Sequence, residues 1–145
     1  MFLGKFSRSL DDYSRFSVPP AYRGPLARGA YVTQGFDRNL QVLTNEAFQE
    51  IYRTVISLNI ANPLARLLLR LILGTAQESG VDADGQLVIP EELKAYANLN
   101  KDILLIGQGE YFEVWAPDLW NQQEAQLRDA DANSSRFSAL NVTTA

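Results

Sequence analysis

The feature that most constrains the fold of this chain is an internal repeat. VDADGQLVIPEELK, at residues 81–94, aligns without gaps with LDDYSRFSVPPAYR, at residues 10–23, which begins 71 positions earlier. Acidic, apolar and proline positions coincide in the two stretches. A second pair, NLQVLTNEAF from residue 39 and YFEVWAPDLW from residue 111, follows at an offset of 72. Such regular self-similarity indicates two copies of one supersecondary unit.

The repeat divides the chain into four parts. We expect a first unit at 1–58, a helical connector at 59–74, a second unit at 75–127, and a polar, flexible tail at 128–145. Within each unit the pattern predicts a short strand, a tight turn, an alternating strand closed by proline, a short helix, a hairpin and a longer helix. The expected fold class is therefore α+β.

The connector sequence NPLARLLLRLILG has strong helix boundaries. Asn62 suits an N-cap, Pro63 the first helical position and Gly74 the stop. Its apolar residues occupy nearly the whole circumference, and a helix of this kind has to be buried on several sides. In so small a domain we expect a homo-oligomer rather than the alternative, a central helix within a monomer. The expected interface residues are Leu64, Leu67, Leu68 and Leu71.

Composition excludes several classes of function. The 145 residues include neither cysteine nor histidine, which removes disulfides, thiolate metal sites and catalysis by serine–histidine or cysteine–histidine pairs. We expect no enzyme activity, no catalytic residues, no cofactor and no metal. The most apolar run, at residues 64–73, contains two arginines and is too short to cross a bilayer, so we expect no membrane partner and a soluble, cytoplasmic protein.

The net charge of -4 is unevenly distributed. Residues 1–75 contain 9 basic and 5 acidic side chains, a balance of +4, whereas residues 76–145 contain 4 basic and 12 acidic side chains, a balance of −8. This asymmetry favours a basic functional face in the first unit; the alternative is chance clustering on solvated surfaces.

The acidic turn of the second copy has some features of a calcium-binding loop. With Gly85 at the invariant glycine, Asp82, Asp84 and Glu91 occupy ligand positions. The first ligand position, however, is Gly80, and the first copy lacks most of the ligands. A hairpin turn explains both copies, whereas a calcium loop explains only one of them poorly.

A pair of carboxylates for acid–base catalysis is a second alternative, with Asp11 and Asp12, or Asp82 and Asp84, as candidates. Neighbouring residues of a strand or turn point to different sides, and no cluster of pocket-forming aromatic residues lies beside them. Aspartates at such positions commonly accept backbone N–H bonds and fix tight loops.

The third alternative is nucleic-acid recognition by Arg15, Arg8 and Lys5. An arginine four residues after an aspartate can be oriented by that carboxylate and still present its guanidinium to a phosphate or a guanine. Equally, the Asp–Arg pair can serve only to hold the hairpin together. The local residues leave both interpretations open.

The first 127 residues resemble the MraZ family of transcriptional regulators, which consist of two SpoVT/AbrB-like swapped-hairpin units. The matching stretches are MFLGKFSRSLDDYSRFSVPPAYR, GFDRNLQVL, NPLARLLLRLILGTAQE, VDADGQLVIPEELKAYANL and LIGQGEYFEVW. Several linked motifs in the same order make this resemblance specific.

The resemblance implies an intrachain pseudo-dimer of interlocked hairpins, with flanking helices, that assembles into a ring. It also implies binding to direct repeats in the promoter of the bacterial division and cell-wall gene cluster, as a nucleoid-associated protein of the cytoplasm. The family's Asp-x-x-x-Arg signature, which is linked to DNA binding, falls on Asp11 and Arg15.

This chain departs from the family pattern at three places. The second copy of the signature has Asp82 but Gln86 in place of arginine. Leu3 stands where arginine is frequent, and Tyr13-Ser14 stands where Lys-Gly is frequent. The expected DNA-contacting residues are Arg15, Arg8, Lys5, Ser14 and Gln86, with Asp11 and Asp82 orienting the two motifs. The alternative is a protein-interaction or antitoxin-like module on the same swapped-hairpin fold.

Overall fold

The computed structural model of the chain describes residues 1–140. The strands are β1 (Lys5–Ser9), β2 (Arg15–Ser17), β3 (Ala30–Gln34), β4 (Leu40–Thr44), β5 (Gln77–Ser79), β6 (Gln86–Val88), β7 (Asp102–Gly107) and β8 (Tyr111–Trp115). The helices are α1 (Pro20–Arg23), α2 (Asn45–Ile56), α3 (Pro63–Ile72), α4 (Glu91–Tyr96), α5 (Pro117–Leu127) and α6 (Ala130–Ser138). The order of elements repeats once along the chain, and the α+β prediction is confirmed.

Six strands form one antiparallel sheet in the order β1-β7-β8-β4-β3-β5. The order is symmetric about the β8–β4 pair, so each half contains one strand from the other unit. β1 of the first unit pairs with β7 of the second, and β5 of the second pairs with β3 of the first. Because strands are exchanged in both directions, each unit completes the sheet of the other.

The remaining two strands, β2 and β6, form a separate antiparallel ribbon, also between units. Phe16 faces Leu87 at its centre, and the exposed fraction of both side chains is 0%. Burial of such a side chain contributes about 1.5–3 kcal/mol. The same pairing places Gln86 opposite Ser17, so the two signature positions lie at opposite ends of the ribbon.

The core lies where the two units interlock. A cluster of aromatic rings contains Phe2, Tyr22 and Phe112, whose centroids are 4.9–5.3 Å apart. The phenol of Tyr22 also donates a hydrogen bond of 2.7 Å to the carbonyl of Leu3. These residues come from both units, so neither unit has a complete core of its own.

Side chains cap the N-termini of α2 and α3, and α3 begins where the sequence indicates. The hydroxyl of Thr44 caps α2 by accepting the N–H of Ala47 at 3.0 Å. The side chain of Asn62 caps α3 by accepting the N–H of Leu64 at 2.9 Å. Within residues 1–140, no helix combines the length and apolar character needed to span a membrane.

The part of the tail that the structure describes, residues 128–140, contains one helix. α6 forms there, capped by Asp129, whose carboxylate accepts the N–H of Ala132 at 3.1 Å. Asn133 is buried and its amide donates to the carbonyls of Gln126 and Leu127 at 2.8 and 3.2 Å. These contacts with the end of α5 order a segment whose composition alone favours disorder. The last five predicted tail positions, 141–145, lie outside the described residues.

Candidate nucleic-acid interface

The first hairpin turn, residues 11–15, is built around one carboxylate. Oδ1 of Asp11 accepts the backbone N–H groups of Tyr13 and Arg15, both at 2.9 Å. Oδ2 of Asp11 accepts the Nε–H of Arg15 at 2.8 Å, so the same side chain fixes the turn and the cation. Aspartate is favoured at such positions because its short side chain reaches the backbone of the next residues.

The Asp11–Arg15 pair has a consistent electrostatic effect on both groups. The backbone N–H of Arg15, together with the N–H of Tyr13 and the guanidinium, lowers the pKa of Asp11 despite some desolvation. The hydrogen bond with Asp11 raises the pKa of Arg15, and the charge of Asp82 adds to this effect. Both side chains are about one-third exposed, so the charged pair remains accessible to a ligand.

The second turn, residues 82–86, has the same backbone bonding. Oδ1 of Asp82 accepts the N–H groups of Asp84 and Gln86, both at 2.9 Å. Gly85 has a positive φ of 76°, as Ser14 has at the equivalent place with 60°. Turn formation therefore explains Asp11 and Asp82, and only the first turn adds an arginine.

Ser14 is placed differently from the other expected contacts because it is 3% exposed. Its hydroxyl donates to Glu91 at 2.7 Å and accepts from Lys94 at 3.2 Å. Its carbonyl accepts the N–H of Ile89, as the carbonyl of Gly85 accepts the N–H of Val18. The side chain of Ser14 thus joins the two units and is not presented at the surface.

The two other expected cations lie in different surroundings. Arg8 donates from Nε to the carbonyl of Ser17 at 2.9 Å, which places it beside the β2–β6 ribbon. Lys5 forms an ion pair of 3.6 Å with Glu124 of α5. Because alternate residues of a strand face opposite sides, Lys5 and Arg8 leave β1 on different faces. The structure therefore groups Arg8, but not Lys5, with the turn residues.

Two cations that the sequence analysis did not single out face the turns across the pseudo-dimer. Arg23 of α1 donates to the carbonyl of Val18 at 2.8 Å, and its guanidinium lies so close to Gly85 that a side chain there would collide with it. Lys94 of α4 contacts Ser14 of the other unit. The repeat alignment already places Arg23 and Lys94 at equivalent positions. Only the exchange of strands between the units shows that Arg23 faces Gly85 and Lys94 faces Ser14.

The expected interface leucines lie on α3, where Leu64 is 72% and Leu67 62% exposed and Leu68 and Leu71 are half-buried. Ala65 is the residue of this helix that is buried against the chain itself. The apolar circumference of α3 is therefore only partly covered by residues 1–140 of the same chain.

Comparison with known proteins identifies the repeat. A family model described as "MraZ protein, putative antitoxin-like" matches twice, at residues 1–71 and 72–140. The two matches together cover nearly the whole chain.

Several relatives described as "Transcriptional regulator MraZ" are similar over almost their full length. The one from Methylococcus capsulatus is 36% identical, with 97% of this chain and 99% of the relative covered. The one from Roseiflexus castenholzii is 34% identical over 94% of both chains. The one from Herpetosiphon aurantiacus is 32% identical over 98% of this chain and all of the relative. With its two interlocked repeats, the chain belongs to the MraZ family of transcriptional regulators, which is not a family of enzymes.

Proposed function

We propose that this chain binds direct repeats in the promoter upstream of its own gene, as an oligomer, and so regulates the bacterial division and cell-wall gene cluster. The first hairpin turn makes the principal DNA contact through Arg15. Arg8 adds a contact from the side of the ribbon, and Gln86 adds a neutral contact from the second turn. Lys5 contributes through its charge if its pair with Glu124 opens. The protein then acts at the nucleoid, in the cytoplasm.

The observation that carries this proposal is the geometry of Arg15. Asp11 engages Nε, while Nη1 and Nη2 form no hydrogen bond with any of residues 1–140. A guanidinium fixed at one edge and open at the other offers two parallel donors, the arrangement that matches a phosphate or the O6 and N7 atoms of guanine. Asp11 thus restricts the Arg15 side chain before DNA binds, so binding removes less conformational freedom.

Charge explains why an oligomer is needed. The two turns contain four aspartates, Asp11, Asp12, Asp82 and Asp84, and Arg15 is the cation within them. One subunit therefore offers a weak electrostatic attraction to DNA. Several subunits that engage repeated sites at once gain affinity through their high effective concentration. The half-covered α3 helix supports assembly through Leu64, Leu67, Leu68 and Leu71.

An electrophoretic mobility shift with the DNA upstream of its own gene tests this function. We expect a shift that survives an excess of scrambled competitor and weakens steeply as salt is raised, because phosphate contacts release counterions. Equal affinity for the scrambled DNA would contradict the proposal.

One alternative function has an observation in its favour. The matching family model is described as antitoxin-like, and both the acidic second turn and the apolar α3 face are suited to a protein partner. A protein-interaction module predicts no preference for promoter DNA in the same shift experiment. It also predicts that binding to its partner survives the loss of Arg15.

A further inference from the structure

Tyr13 lies at the tip of the first turn, whose backbone hydrogen bonds do not require an aromatic ring. Its side chain is 74% exposed. The equivalent residue of the second turn is Asp84, and the backbone bonds of the two turns are the same. The turn therefore forms without the ring, which leaves a large apolar surface in water beside the proposed DNA contact.

The ring is held in a defined place. The N–H of Tyr13 is bound by Asp11, and the Cζ atom of Arg15 lies 5.1 Å from the centroid of the ring. An arginine at this distance from an aromatic ring is attracted to its face. The ring and the guanidinium are thus presented side by side. A DNA group next to the one that Arg15 contacts is therefore within reach of Tyr13.

The shape of the site suggests what that neighbour is. The turn leads from β1 of the six-stranded sheet into β2 of the two-stranded β2–β6 ribbon, and the major groove of B-DNA is wide enough for such a ribbon. Among the base edges in that groove, the apolar group is the C5-methyl of thymine. Arg15 can use the donors of its open edge on a guanine or phosphate while the ring covers a methyl beside it.

We propose that Tyr13 is a specificity-determining residue that packs its ring on a thymine methyl next to the DNA contact of Arg15. This inference rests on the proposed function and adds to it a second, apolar element of recognition. It also means that the two halves of the pseudo-dimer recognise DNA differently, since the second turn has Asp84 and Gln86 in place of Tyr13 and Arg15.

A two-by-two binding experiment isolates this contact. The wild-type protein and Tyr13→Ala are each titrated with promoter DNA and with the same DNA containing deoxyuridine in place of thymine, which removes only the methyl groups. For the wild type we expect an affinity loss of about three- to fivefold per contacted methyl on deoxyuridine DNA. We expect Tyr13→Ala to bind thymine DNA as weakly as the wild type binds deoxyuridine DNA. Replacing thymine by deoxyuridine should then cause Tyr13→Ala no further loss of affinity.

Two variants serve as controls. Tyr13→Phe retains the ring and should keep the wild-type response to the methyl groups. Phe36→Ala removes a ring that is similarly exposed, but in the turn between β3 and β4, and should also keep that response.

Three outcomes overturn the inference. The first is a wild-type protein that binds the promoter specifically but equally well with deoxyuridine, which leaves the proposed function intact. The second is a Tyr13→Ala protein that binds less tightly but loses as much affinity on deoxyuridine DNA as the wild type does. The ring would then only hold Arg15 in place. The third is wild-type protein with no preference for promoter over scrambled DNA, which overturns the proposed function as well.

Discussion

At the scale of single residues, one carboxylate organises the whole candidate contact. Asp11 accepts two backbone N–H groups and the guanidinium of Arg15, so the turn and its cation share one support. Asp82 makes the corresponding two backbone bonds with no arginine beside it. The second turn is therefore an internal control for what the first turn adds.

The change Asp11→Asn should separate these two tasks. Asparagine can still accept the backbone N–H groups, but it loses the charge that holds Arg15. We expect a folded protein with a several-fold weaker affinity for promoter DNA, measured by fluorescence anisotropy. Asp82→Asn is the matched control and should leave affinity unchanged or slightly increased. An equal loss in both variants would mean that Asp11 acts only through the turn.

Glu113 on β8 gives a prediction on stability. Burial raises the pKa of this carboxyl above its ordinary value of 4.5, although the hydrogen bond from the indole of Trp115, 3.0 Å long, acts in the opposite direction. A raised pKa in the folded state means that the stability present at low pH is lost as the pH rises through that pKa.

Glu113→Gln should therefore increase the free energy of unfolding at neutral pH, because glutamine retains an acceptor for Trp115 without a charge. We expect its advantage over the wild type to shrink toward acid in denaturant unfolding between about pH 4 and 8. Glu110→Gln, at an exposed position, is the control. A Glu113→Gln variant that is less stable at neutral pH would show that the charge itself is stabilising.

At the scale of elements, the two hairpins are equivalent in backbone but not in side chains. Exchange of the turns gives each one a cation from the other unit, Arg23 over Gly85 and Lys94 over Ser14. The ribbon thus has two similar ends, of which the first alone has the signature arginine. This difference follows from Gln86 rather than from any difference in folding.

The change Gln86→Arg should restore the signature in the second turn. Asp82 already makes the backbone hydrogen bonds that Asp11 makes in the first turn. Its carboxylate is therefore placed to orient an arginine at position 86. We expect equal or tighter promoter binding, with a slope of log affinity against log salt steeper by about 1 for each added phosphate contact. Gln122→Arg, which adds the same charge at an exposed position of α5, should change the slope less. A loss of affinity in Gln86→Arg would mean that glutamine makes a contact of its own.

Repetition made much of this architecture predictable. The offset of 71 residues indicated both turns, and the capping residue Asn62 indicated where α3 begins. The burial of Ser14 and the approach of Arg23 to Gly85 were not predictable, because they depend on which strands the two units exchange. Similarly, the contacts of Asn133 with α5 order α6 through tertiary packing, which a local reading of composition does not include.

At the scale of the whole molecule, the residues proposed for recognition and those proposed for assembly belong to different elements. The turns present the aspartates and Arg15, while α3 presents Leu64 and Leu67, which its own chain leaves largely exposed. Apolar patches of this kind mark interaction surfaces in soluble proteins. In the proposed function, assembly therefore acts on DNA binding through the number of sites engaged at once and not through shared residues.

The double change Leu64→Glu and Leu67→Glu should disrupt assembly without unfolding the subunit. Both side chains are mostly exposed, so charges there cost little within one chain but strongly disfavour an apolar interface. We expect a lower molar mass by sedimentation and much weaker promoter binding. Leu127→Glu, at an exposed position of α5, is the control. An unchanged mass would place the interface elsewhere or show that the protein is a monomer.

Promoter binding by Arg15→Ala tests the central claim most directly, namely that one oriented arginine makes the principal DNA contact. The affinity of Arg15→Ala is measured over a range of salt concentrations beside the wild type and Arg28→Ala, which removes an exposed arginine from another loop. We expect Arg15→Ala to lose specific binding, at least about tenfold in affinity, with a shallower salt dependence and unchanged assembly. We expect Arg28→Ala to bind as the wild type does. Full promoter binding by a folded, assembled Arg15→Ala protein would contradict the account.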